Sequence, residues 1–299
     1  MIPDRFIACS EMLPWIHEVT EWMLLRKWSL SEVYRVRLSS GESRIVKWGG
    51  REMAGEAEIY RQLVHPLQIK APQIYAVVEC LEGGVMVMED AGGCNLEQQP
   101  EPQHFLESAR ELARLRQSAA AHLEAVLSRE TKERYFVPPD AFIRQLDDLL
   151  RSDAIRGNQV LYNVRARLPH DLRTLYQTVP LSIVHHDFHA KNLVIQDTGI
   201  MPIDWSIAYL SPHLGDLYCL IKEARNGTAL TEEDIIAAFQ DVADIPIQQL
   251  EWQVRMGGIC WLIRTLHWLV HGGIETIPGS EAWVPDLLQD LEYLYDAHI

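Results

Sequence analysis

Apolar Tyr34, Val36 and Leu38 alternate with Arg35 and Arg37, the period of two that marks a strand with one covered face. Ser39-Ser40-Gly41 supplies a turn and 44–48 returns as a second strand, so the stretch predicts a hairpin. Gly49-Gly50 then breaks the chain. Met53, Ala57, Tyr60 and Val64 follow at helical spacing, with Pro66 ending the run. Residues 74–81 and 85–88 predict another hairpin turning at Gly83-Gly84, and Asp90-Ala91-Gly92-Gly93 is the clearest linker.

Beyond residue 90 the period changes to that of helices. Phe105, Ala109, Leu112, Ala119 and Leu123 mark a long amphipathic helix. Residues 140–151 and 158–177 predict two more. Residues 181–184 form a short apolar strand, and 193–195 with 201–203 a small hairpin around Asp197-Thr198-Gly199. Thr231 and Asp234 have the spacing of a capping box opening a helix through Phe239. Leu287, Leu288, Leu291, Leu294 and Tyr295 mark a last helix. The pattern is α+β, strand-rich before residue 90 and mainly helical after it.

Composition narrows the class. With 47% hydrophobic and 23% charged residues over 299 positions, the chain can bury a sizeable core. Lys+Arg number 27 against 42 Asp+Glu, a net charge of −15, which opposes nonspecific binding to nucleic acid or an anionic membrane. Residues 257–270, the most apolar late stretch, contain Arg264 and His267 and are too short to span a bilayer. The N-terminus shows no basic region leading into an apolar run, so no signal peptide is expected. The odd count of five cysteines, their long spacings and the lack of C-x-x-C predict neither a disulfide framework nor a zinc ribbon. A reducing cytoplasm is the simplest home.

The chemistry concentrates in His185-His186-Asp187-Phe188-His189-Ala190-Lys191-Asn192, followed by Ile203-Asp204-Trp205. Apolar strands enter and leave this stretch, so it lies on a loop that a rigid scaffold can aim. Phosphoryl transfer from a nucleotide needs a carboxylate for the acceptor hydroxyl, hard oxygen ligands for magnesium and a cation on the phosphates. Asp187 suits the first task, Asn192 and Asp204 the second, and Lys47 the third, with Glu56 on the following helix to pair with Lys47. Glu52 and Glu58 are alternatives to Glu56. Three histidines beside Asp187 also raise a metal-dependent phosphohydrolase, although such His-Asp pairs lie on helices and this one lies between strands. His186 reads as a filler position. Most of the aromatics fall at core spacing, so packing, Trp205's included, outweighs an aromatic cage for a quaternary amine.

His-x-Asp-x-x-x-x-Asn followed by Ile-Asp-Trp resembles the aminoglycoside phosphotransferase and choline kinase family, within the protein-kinase-like fold. The resemblance extends over nearly the whole chain: Ser31-Glu32-Val33-Tyr34-Arg35-Val36, Ile45-Val46-Lys47, 55–63, Met88-Glu89-Asp90-Ala91-Gly92-Gly93, Leu112-Ala113-Arg114-Leu115 and Gly215-Asp216-Leu217 match its segments in order. It implies a bilobal fold, with a small antiparallel β-sheet lobe at 1–88, a hinge at 89–93 and a larger, mainly helical lobe at 94–299. It implies ATP or GTP and Mg2+ as cofactors and a small-molecule hydroxyl as acceptor, in a monomer or homodimer.

By the same resemblance Asp187 is the catalytic base, and His189 contacts the transferred phosphate. Asn192 and Asp204 chelate magnesium. Lys47, Glu56, Ser29, Ser31 and the backbone of Glu89 and its neighbours serve the nucleotide, the last binding the adenine, while His185 and Asp216 brace the catalytic loop. Lys191 stands where the family often has Gly, and either points to solvent or adds charge near phosphate. The loop Lys27-Trp28-Ser29-Leu30-Ser31 contains no glycine. That departs from protein kinases, which lay a Gly-rich loop over the phosphates, and leaves a catalytically weak nucleotide-binding member as a rival. The acceptor site is expected from 216–299 and part of 120–180. There Glu232, Glu233, Asp234, Glu275, Glu281, Asp286 and Asp290 suit a polyamine or amino alcohol as much as a solvated face.

Overall fold

The computed structural model describes residues 2–7, 9–27, 31–50, 55–80 and 83–296. A short helix α1 (Asp4–Ile7) precedes five strands, β1 (Val19–Lys27), β2 (Ser31–Leu38), β3 (Ser43–Gly50), β4 (Ile74–Cys80) and β5 (Gly83–Glu89), with α2 (Glu56–Ile59) between β3 and β4. The sheet is antiparallel throughout, in the order β1-β2-β3-β5-β4. Both predicted hairpins are present. β3 continues through Gly49-Gly50 instead of stopping there, because Gly50 pairs with Gly83 and Gly49 with Gly84. A Cβ on Gly83, at φ +154°, would lie 2.1 Å from the Gly49 carbonyl oxygen, so this close approach requires glycine.

Alternation along β5 decides what each face of the sheet does. Val85 and Val87 join Val36, Val46 and Trp48 on the outer face, under Phe6, Cys9, Leu13 and Ile16 of the N-terminal segment. Met86 and Met88 point inward and pack into the same core as Ala57, Leu63, Phe105 and Leu112. Lys47 pairs with Met86 in register. The odd count and long spacings of the cysteines predict no disulfide framework, and Cys9 is nevertheless disulfide-bonded. Cys94, Cys219 and Cys260 are free.

The helical part begins with α3 (Pro102–Val126), α4 (Arg129–Tyr135), α5 (Pro139–Arg151) and α6 (Gln159–Thr178). Short strands follow: β6 (Ser182–Val184), β7 (Leu193–Gln196), β8 (Gly199–Pro202) and β9 (Tyr209–Ser211). β7 pairs with β8, as predicted, and β6 pairs with β9. The chain ends with α7 (Gly215–Gly227), α8 (Glu232–Gln240), α9 (Ile247–Trp268), α10 (Ile274–Thr276) and α11 (Trp283–Asp296). The Thr231–Asp234 capping box is formed reciprocally at α8. No helix of the described residues is long and apolar enough to cross a membrane.

Candidate active site

Lys47 is the first anchor. Strand β3 carries it on the inner face of the sheet, where only 7% of its side chain is exposed. Burying an ammonium is costly unless it is paired, and Lys47 has two partners, Glu56 Oε2 at 2.5 Å and Asp204 Oδ1 at 2.8 Å. Burial pulls the Lys47 pKa down, but Asp204 and Glu56 together more than reverse this and leave it raised. Burial pushes the Glu56 carboxyl up to about 7 against the pull of Lys47. Burial also acts to raise Asp204, yet Lys47 holds it down at about 2. Glu56 Oε1 is buried without a hydrogen-bond partner, beside a small cavity lined by Lys47, Gly49, Glu56, Val77, Gly84 and Met86.

The second anchor is the loop between β6 and β7. Asn192 donates through Nδ2 to the Asp187 carboxylate at 2.7 Å and to the Asp187 carbonyl at 2.9 Å. His189 Nε2 and Lys191 Nζ approach the two oxygens of the Asp187 carboxylate at 3.5 and 3.3 Å. Lys191 therefore turns to Asp187. His185 is fully buried and accepts the Asp187 N–H through Nδ1, while its Nε2 meets the Ile203 carbonyl at 3.0 Å. Burial keeps its pKa low. The Ile203 N–H in turn donates to the Asn192 carbonyl at 2.9 Å. These last bonds tie the Asp187 loop to the residue preceding Asp204, so the two anchors form one site.

Two non-glycine residues here adopt left-handed backbone, His186 (φ 69°) and Asp204 (φ 66°). Such strain, of order 1–3 kcal/mol each, persists only where surroundings impose it, and it clusters at functional sites. At His186 the cause is visible. Asp216, at the start of α7, accepts the N–H groups of His185 and His186 at 2.7 and 2.8 Å, and Trp261 Nε1 donates to the His186 carbonyl at 3.0 Å. His186 is thus buried and engaged on both sides, a more specific place than the filler position its neighbours suggest. Two turns further along α7, Glu223 accepts the Ala190 N–H at 2.5 Å and faces His189 Nδ1 at 3.0 Å. Burial acts to lower the His189 pKa, but the hydrogen bond to Glu223 and the charge of Asp187 leave it raised.

Sequence reasoning missed Glu223 and also Arg116. Arg116 is buried on α3 and donates to the carbonyls of Ile183, Pro212 and His213 at 2.8–3.1 Å, gripping β6 just before the loop. Burial lowers its pKa to about 10. A signal existed for both. Arg116 falls on the apolar stripe of its helix, four residues after Leu112 and three before Ala119, and Glu223 stands seven residues from Asp216, on the same helical face.

The remaining expected positions lie apart. Ser29 falls outside the described residues. Ser31 begins β2 and is buried. Glu89 ends β5, three residues past the partner of Lys47, and its N–H is already donated to the Gln73 carbonyl at 2.8 Å. Of the acidic residues expected near an acceptor, Asp234 caps α8, Glu232 faces Arg225 and Asp290 pairs with Lys222.

A buried lysine held by a helix glutamate, an aspartate after a β-hairpin and an H-x-D-x-x-x-x-N loop make a candidate phosphotransferase site on a kinase-like fold. The model of the phosphotransferase enzyme family matches residues 26–247, and the chain belongs to that family. No curated protein matches the chain by sequence. Solved structures share the fold at low identity. Choline kinase LicA from Streptococcus pneumoniae is 16% identical, with 99% of this chain and 100% of that one covered and a TM-score of 0.70. Aminoglycoside phosphotransferase APH(4)-Ia, in a ternary complex with ADP and hygromycin B, is 16% identical, with 98% of each chain covered and a TM-score of 0.66. The ADP-bound APH(2'')-Ib is 16% identical, with 97% of this chain and 99% of that one covered and a TM-score of 0.63.

Proposed function

We propose that the protein is a small-molecule kinase that moves the γ-phosphoryl group of ATP or GTP to a hydroxyl group of its acceptor. The observation that carries this reading is the junction of the two anchors, which puts the Lys47–Glu56–Asp204 cluster and the Asp187–Asn192 pair in one site. Lys47 orients the nucleotide phosphates, and Glu56 keeps it in place. Residues 89–93 serve as a hinge between the sheet lobe (1–88) and the helical lobe (94–299). Glu89's N–H is taken by the Gln73 carbonyl, so N–H donation to adenine falls to its neighbours, while its carbonyl can still accept from the adenine amino group.

In the transfer, the acceptor oxygen attacks the γ-phosphorus as the bond to the bridging oxygen breaks. That bond's electron pair leaves with the nucleoside diphosphate, and the acceptor's proton passes to the Asp187 carboxylate and then to solvent. Asn192 aims Asp187 and keeps its own Oδ1 for another task. That oxygen and the Asp204 carboxylate are hard donors that fit magnesium, which, when bound, neutralises phosphate charge. Lys47 Nζ has three N–H donors, of which Glu56 and Asp204 take two, so the third can turn to a phosphate oxygen. The three histidines speak against a metal phosphohydrolase, since His185 and His189 commit ring nitrogens to Ile203 and Glu223, and His186 is buried beside Tyr209 and Trp261.

The decisive experiment replaces Asp187 with Asn and follows nucleotide consumption over a panel of aminoglycosides, amino alcohols and sugars. Turnover with a responsive acceptor is expected to fall by about 10²–10⁴-fold, while nucleotide binding persists. Undiminished turnover would refute the role of Asp187.

A further inference from the structure

Both oxygens of Glu223 are spent on two consecutive residues of the loop that holds Asp187, His189 and Ala190. One accepts the Ala190 N–H at 2.5 Å and the other faces His189 Nδ1 at 3.0 Å. Among the described residues, the neighbouring cations of α7 are engaged elsewhere, Lys222 with Asp290 and Arg225 with Glu232. Glu223 is therefore directed at the loop alone. The His189 ring is bounded on another side by Trp261, whose plane crosses it at 71° with centroids 6.0 Å apart. Its Nε2 ends 3.5 Å from Asp187 Oδ1.

We propose that Glu223 is a positioning residue for phosphoryl transfer, which acts through His189 by setting which ring edge faces Asp187. This rests on the kinase reading above. The terminal torsion of histidine is broad and nearly two-fold, so packing alone barely distinguishes the ring from its flipped form. A carboxylate on Nδ1 breaks that symmetry. It requires a proton on Nδ1 and leaves Nε2 beside the Asp187 carboxylate, where acceptor oxygen and phosphorus meet. Flipped, the ring would present carbon in place of that nitrogen. The Ala190 N–H bond holds the loop backbone at the same point, so ring and loop are set by one side chain. Asp216 grips the loop's entrance and Glu223 its middle, two turns apart on one face of α7.

The test is a cycle of Glu223→Ala, His189→Ala and the double variant, with Glu223→Gln as the conservative case. If Glu223 acts through His189, Glu223→Ala lowers kcat by about 10–100-fold and leaves the nucleotide KM within about twofold. The double variant is then no worse than His189→Ala, because effects within one chain of contacts do not add. Multiplicative losses, or a loss confined to thermal stability and nucleotide KM, would overturn the proposal. A second arm needs no turnover. Long-range proton–nitrogen spectra of histidine-labelled wild-type protein should show His189 protonated on Nδ1, and Glu223→Ala should remove that preference. An unprotonated Nδ1 in the wild type, or a tautomer indifferent to Glu223, refutes the positioning. Absence of turnover in the wild type would count against the kinase reading while this arm still decides the ring.

Discussion

Lys47 is held by two carboxylates, Glu56 and Asp204. Their electrostatic settings differ. Asp204, held by Lys47 at about 2 against an ordinary 3.8, binds fewer protons folded than unfolded between those pH values. Its contribution to stability is therefore complete above pH 3.8 and lost as pH falls toward 2. Glu56, raised by burial to about 7 from 4.5, has the opposite sign, and its contribution shrinks as pH rises through that window. Asp204→Asn should remove the acid-side slope, so the stability gap between wild type and variant narrows as pH falls from 4 to 2. Denaturant midpoints across that range measure it; a gap that stays constant would show that Lys47 does not lower Asp204. At this scale the motif residues were visible in the sequence because each is a chemically unusual type at a fixed spacing. Arg116 and Glu223 carried only a positional signal, because their partners, the carbonyls of Ile183, Pro212 and His213 and the His189–Ala190 segment, lie far away in the chain.

Helix α7 joins fold to chemistry, since it carries both carboxylates that grip the loop. Its own position depends on α9. A Cβ on Gly257 of α9 would lie 2.3 Å from the Leu214 carbonyl carbon and 2.6 Å from the Gly215 nitrogen, both of them backbone atoms unable to yield cheaply. Gly257→Ala is accordingly expected to force α9 off the start of α7. The cost should be about 1–3 kcal/mol of stability, with kcat falling more than nucleotide affinity as Asp216 and Glu223 shift together. Thermal unfolding with steady-state kinetics checks both, and a variant equal to wild type would show that α7 does not need this contact. Amphipathic α3, α5 and α6 were readable from their one-sided pattern. Helices α7 and α9 were not, because they are buried on most sides, as Leu217 to Ile221 and Met256 to Ile263 are, and a helix apolar all round has no period to detect.

At the scale of the molecule, binding across the sheet and the Asp187 loop should stabilise the whole fold. Nucleotide at 100 times its Kd contributes about 2.7 kcal/mol. With magnesium present this should raise Tm by roughly 4 °C for a chain of this size, and chelation should reduce the shift. A scan with ATP and GTP, each with and without EDTA, would measure it; no shift with either nucleotide would count against a nucleotide site. The net charge of −15 makes the local arrangement the more necessary, because triphosphate must bind against the global field.

The two hairpins of the large sheet, the helices α3, α5, α6, α8 and α11, the α+β class and the chemical identity of Lys47, Asp187, Asn192 and Asp204 were legible in the sequence alone. Period and residue type are local properties, and a short motif carries its spacing with it. Only the tertiary structure decided that Lys47 and Asp204, 157 residues apart, share a bond of 2.8 Å, that Asp216 and Glu223 are spent on the loop backbone, and that His189 turns between two carboxylates. Those facts depend on how elements pack. Each buried charge takes the partner that folding brings within reach, and chain separation does not record that distance.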